Sequence, residues 1–180
     1  MVKIRSDGCV YLCNDGNHLK NKEYMANNSE SGSGHTPPKV EHEFRYYAEL
    51  AKLPNCPPPL LNTERRGFRF ASADKLDPRN FLPVALMTPA RLPKLGHMAC
   101  CSAYALSMYD TRENLIKKAK LLLKSNPKAL KTIGDHFLEV SLDPQDGRHS
   151  AKGASGHFDF HSYTSFKPTG CVIDHGMLLL

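Results

Sequence analysis

Apolar residues in this chain fall in short clusters set apart by stretches rich in Pro, Gly, Asn and Ser, and that spacing holds every element to modest length. No apolar run approaches the roughly 20 residues that a membrane-spanning helix needs. No sustained heptad is present, so a coiled coil is excluded as well. With 180 residues, 41% of them hydrophobic and 23% charged, the chain has the length and composition of one globular domain. Residues 1–10 carry cationic side chains with no apolar stretch after them, so no secretory signal is expected and the expected location is cytoplasmic. Cys9, Cys13, Cys56, Cys100, Cys101 and Cys171 are then expected to be reduced thiols that serve mainly in packing.

Residues 2–13 read as an N-terminal hairpin around Ser6-Asp7-Gly8, because Asp-Gly supplies the positive φ of a tight turn. Residues 14–38 lose all periodicity and read as a mobile loop or linker, in which Leu19, Tyr24 and Met25 are the side chains able to anchor a partner. Residues 39–180 read as a single α+β domain. Its helix candidates are 39–53, ended by Pro54, then a helix capped by Asp110 and running to about Ser125, then a short one between Pro127 and Gly134. Its strand candidates are 67–72, 82–88, 101–108, 136–142, 156–160 and 171–174. The fold expected is a mostly antiparallel sheet with a few helices packed on it.

The positive charge is concentrated. Residues 111–131 hold seven basic side chains, Arg112, Lys117, Lys118, Lys120, Lys124, Lys128 and Lys131, against Glu113 alone; elsewhere 17 basic residues face 17 acidic ones. At 100° per residue Leu115, Ala119 and Leu122 form a buried stripe, with Lys117, Lys120 and Lys124 nearly opposite. Ammonium groups repeated along a helix can follow a phosphate backbone, so nucleic acid, or a protein partner that handles it, is one reading; a solvated helix face is the other. Arg65, Arg66 and Arg69 form a second basic group near Phe68 and Phe70, suited to stacking or to gripping a phosphate.

Chemistry concentrates at Gly156-His157-Phe158-Asp159-Phe160-His161, where strand alternation puts His157, Asp159 and His161 on one face and both phenylalanines on the other. Such a face can hold a divalent metal or set a general base beside an orienting carboxylate, and it can equally be the wet side of an edge strand. His136 lies with Leu138, Val140 and Leu142 and reads as a satisfied core histidine, while His149 is near enough in sequence to join the His157 group. Cys9, Cys13, His18 and His35 make a poor zinc set, since Cys9 and Cys13 in a strand would stand about 13 Å apart. No phosphate-binding glycine loop and no Gly-x-Ser-x-Gly elbow occurs, which argues against those routes to nucleotide and serine hydrolysis.

Over residues 105–161, the order Leu106-Ser107-Met108-Tyr109-Asp110-Thr111 entering a helix, then Leu138-Glu139-Val140-Ser141-Leu142, then Gly156-His157-Phe158-Asp159, resembles small bacterial proteins of toxin or phage-defence type. It is also similar to the core of ADP-ribosyltransferase-like folds. That resemblance implies that Arg69 holds a phosphate, Ser107 supports a ribose and His157 or Asp159 stands on the acidic strand, where His-x-Asp replaces the family's Glu-x-Glu. Two functions are therefore expected as alternatives. One is a bacterial conflict-system protein that binds nucleic acid through Lys117, Lys120, Lys124, Lys128 and Lys131 with Arg65 and Arg66. The other is an ADP-ribosyltransferase-like enzyme or metal-dependent phosphoesterase built on His157, Asp159, His161, Arg69 and Ser107. The sequence assigns no cofactor.

Overall fold

The computed structural model describes residues 42–180 and, before them, the backbone of two short strands, β1 (Lys3–Ile4) and β2 (Val10–Tyr11). These pair antiparallel with Ile4 opposite Val10, as a hairpin requires. The expected turn at Ser6-Asp7-Gly8, the linker over 14–38 and the Cys9, Cys13, His18 and His35 set all lie outside the described residues. The chain divides into two units, Met1–Glu41 and His42–Leu180.

The second unit is α+β. Its elements are α1 (Tyr47–Leu50), β3 (Arg65–Ala71), α2 (Val84–Met87), α3 (His97–Ala103), β4 (Leu106–Tyr109), α4 (Arg112–Ser125), α5 (Ala129–Ile133), β5 (His136–Leu142), β6 (Gly147–His149), β7 (His157–Ser162) and β8 (Val172–Met177). Six strands form one antiparallel sheet in the order β6-β7-β4-β3-β5-β8. Alternation along the strands divides the core in two. On one face Ala71, Leu106, Met108, Leu138, Val140, Leu142, Phe158 and Phe160 are closed over by Phe81, Phe166 and Cys171 from the connections. On the other face Phe68, Phe70, Tyr109 and Phe137 lie under Leu115, Ile116 and Ala119 of α4, with Leu130 and Leu178 at the margin.

α4 begins at Thr111, whose hydroxyl accepts the Asn114 N–H (3.2 Å), so Thr111 rather than Asp110 is the cap. The Asp110 carboxylate instead takes the Asn114 side-chain amide (2.8 Å) and the Lys152 ammonium (2.9 Å). Asn126-Pro127 stops α4, and α5 ends at Gly134, where φ is 100° and a Cβ would strike the Ala71 carbonyl.

Three expectations about elements are corrected. Residues 82–88 are not a strand, because Pro83 in extended geometry opens the single helical turn α2. The first half of 101–108 belongs to α3, which starts after Gly96, and only Leu106–Tyr109 is strand. Of the described part of 39–53, residues 42–53, only Tyr47–Leu50 is α-helical, since Phe44 is spent on a β-bridge to Tyr163 and the Arg45 N–H donates to the Ser162 carbonyl (2.9 Å). The expectation of reduced thiols fails at one pair: the fold brings Cys56 and Cys101 to a Cα–Cα distance of 5.8 Å, and they form a disulfide. Cys100 and Cys171 are buried thiols. Among the described residues no helix is long and apolar enough to cross a membrane.

Candidate functional site

The lysines stand where helical arithmetic puts them. Lys117, Lys118, Lys120, Lys124, Lys128 and Lys131 are all exposed, while Leu115 and Ala119 on the opposite side of α4 are fully buried. Among the described residues the cations in ion pairs are Arg66, Arg79, Lys152, His136 and His157, so none of these six ammonium groups is paired with a carboxylate of the described residues.

The arginine group is not brought together. Alternation along β3 sends Arg69 to the face away from α4, where it is 8% exposed, donates to the Leu82 carbonyl (3.4 Å) and lies over Phe81; burial lowers its pKa to about 10. Arg65 stacks on Phe158 on that same face, 4.0 Å from the ring centroid, and meets His149. Arg66 is exposed on the α4 face and paired with Glu139 at 3.3 Å. It lines an open groove of about 410 Å³ with Phe68, Arg112 and Phe137, where Asp110, Glu113, Glu139 and Asp174 outnumber the guanidiniums and oppose a phosphate.

On β7 the expected alternation holds: Phe158 and Phe160 enter the core, and His157 and Asp159 face the α4 side. The register of β4 against β7, with Ser107 opposite Asp159 and Tyr109 opposite His157, adds two residues to that face. Ser107 Oγ lies 2.7 Å from His157 Nε2, and Asp159 Oδ1 lies 3.8 Å from the same nitrogen. The Tyr109 ring meets the imidazole edge-on at 5.3 Å. His157 is about one-third exposed and Asp159 one-fifth, so the imidazole is reachable and the carboxylate sits beneath it. Burial pushes the Asp159 carboxyl up, against a hydrogen bond from the Ser102 hydroxyl of α3 and the charge of His157; Oδ1 is buried with no hydrogen-bond partner. Burial, and then Asp159, push the Tyr109 phenol up to about 12. The cluster is thus a sheet floor with α3 on one side, through Ser102, and the start of α4 on the other. The Asp110 N–H donates to the Gly156 carbonyl (2.9 Å), and a Cβ on Gly156 (φ 74°) would strike Asp110 and Asn114.

With its proton on Nδ1, His157 accepts the Ser107 hydroxyl at Nε2, and the nearby carboxylate favours the imidazolium that forms when that proton moves. This is the geometry of an activated hydroxyl. His161 is not part of it: the side chain is 3% exposed, packs edge-on to Phe44 at 6.1 Å, and burial lowers its pKa to about 4. His149 lies on the other face between Thr63, Arg65 and Phe158, and does not join the group either. His136 is satisfied by Asp135 at 2.7 Å and stacked on His175. Among the described residues no three His, Cys, Asp or Glu are gathered as a metal site. Ser102, Tyr109, Asn114 and Lys152 are the neighbours that sequence reasoning missed; the pairing of β4 with β7 and the helical state of residue 102 place them, and neither has a local signal. Compared with known proteins, the chain matches no family model, no curated protein and no solved structure.

Proposed function

We propose that the protein binds nucleic acid through the lysine face of α4 and α5. The observation that carries this reading is the set of six exposed lysines, Lys117 to Lys131, unpaired with carboxylates among the described residues on a molecule whose other charges balance. Along α4, Lys117, Lys120 and Lys124 follow one another at three and four residues, about 5–6 Å along the axis, so several phosphates of one strand are contacted at once. The face presents no aromatic side chain, which favours backbone contacts over base stacking. The conflict-system role expected from the resemblance rests on this binding. The transferase alternative draws no support from the arrangement, because Arg69 and Ser107 occupy opposite faces of the sheet. Fluorescence anisotropy with labelled RNA and DNA at low salt is the test. Wild type binds, and K117E/K120E/K124E loses at least tenfold in affinity with an unchanged circular dichroism spectrum. Equal binding by the variant would make the helix a solvated surface and nothing more.

A further inference from the structure

The lysine face and the Ser107–His157 cluster adjoin. The Asn114 amide reaches Asp110 beside Gly156, immediately before His157, and Lys118 stands one helical turn after Asn114 on the same flank of α4. Lys152, 60% exposed, is held at the same place by Asp110. A phosphate strand that follows the lysines of α4 toward its first turn therefore arrives between two ammonium groups at the edge of the cluster. There the Ser107 hydroxyl is already hydrogen-bonded to Nε2 of a part-exposed imidazole, with the Asp159 carboxylate near the same nitrogen.

We propose that Ser107 is a nucleophile and His157 its base, acting on a phosphodiester of the strand that the lysine face holds; this rests on the binding reading above. Ser107 Oγ attacks phosphorus as its proton passes to His157 Nε2. The new Oγ–P bond forms, the bond from phosphorus to the leaving nucleoside oxygen breaks, and the imidazolium returns its proton to that oxygen. Water then attacks phosphorus, His157 takes its proton, and Oγ leaves as the serine hydroxyl regains it; no electron is gained or lost. Asp159, 3.8 Å from Nε2, favours the imidazolium. Lys118 and Lys152 are the cations that offset the negative charge a pentavalent phosphorane accumulates.

The full chain is incubated with short end-labelled RNA and DNA oligonucleotides, with binding read by anisotropy and cleavage by denaturing gel. Wild type is expected to cleave at least one of them. Ser107→Ala and His157→Asn each lower the rate at least 100-fold while binding stays within twofold. Bis(p-nitrophenyl) phosphate, which has a good leaving group, is expected to add a phosphoester mass on the peptide that contains Ser107. Binding without cleavage, or cleavage by Ser107→Ala at the wild-type rate, overturns the proposal and leaves the binding reading standing. Absence of binding by wild type overturns both.

Discussion

Burial opposes ionisation of the Asp159 carboxyl. Burial holds its carboxyl above the usual carboxylate range, so its stabilising contribution is present in full below pH 3.8 and is lost as the pH rises through the folded value. Asp159→Asn is therefore expected to raise the urea midpoint at pH 7, with the gain disappearing in acid; a lower midpoint at pH 7 would mean that Ser102 and His157 outweigh burial. His161 has the opposite sign. Buried and neutral with a pKa near 4, it contributes stability in full above pH 6.5, and about 3 kcal/mol of it is lost as the pH falls from 6.5 through 4. Denaturation of His161→Gln across that window is expected to show a shallower pH dependence than wild type. At this scale the sequence is legible where period 2 suffices: His157 and Asp159 share a face because they are two apart. Arg69 was misgrouped with Phe68 and Phe70 although the same period sends it to the other side. Ser107 was legible only as a residue of interest, since its partner 50 residues away is set by strand register.

Among the elements, those with strong periodicity and flanking breakers were legible. Residues 136–142 form a strand with the expected bounds, and α4 stops before Asn126-Pro127 as expected. Val84-Ala85-Leu86-Met87 failed because a short apolar run fits either period, and Pro83 decided for a helical turn. The 101–108 run failed because helix and strand meet inside it without a breaker. Two leucines of α4 test the account of that helix: Leu115→Ala, fully buried under the turn that faces the sheet, is expected to cost about 2–5 kcal/mol, and Leu121→Ala, 59% exposed, less than about 0.5 kcal/mol. The Cys56–Cys101 disulfide ties the Pro57-Pro58-Pro59 segment to α3 across a sequence separation of 45, and its loss in Cys56→Ser is expected to cost about 4 kcal/mol by loop entropy. Reduction of wild type by a dithiol is expected to reproduce that loss in urea denaturation, while Cys56→Ser becomes insensitive to reductant.

Across residues 42–180 the charge is segregated rather than abundant. α4 and α5 carry the net excess, the remaining basic and acidic residues cancel in number, and the inner strands β4 and β7 carry the Ser107–His157 pair beside the first turn of α4. A polyanion held by such a face releases counterions in proportion to the phosphates it contacts, which separates a lysine-driven interface from an apolar or hydrogen-bonded one. The most direct measurement is the affinity for single-stranded nucleic acid as a function of salt concentration, for wild type and for K117E/K120E/K124E. If all six lysines engage, the slope of log affinity against log salt is expected near −4 for wild type and shallower by about 2 in the variant. A wild-type affinity independent of salt, or identical slopes for the two proteins, would contradict the account.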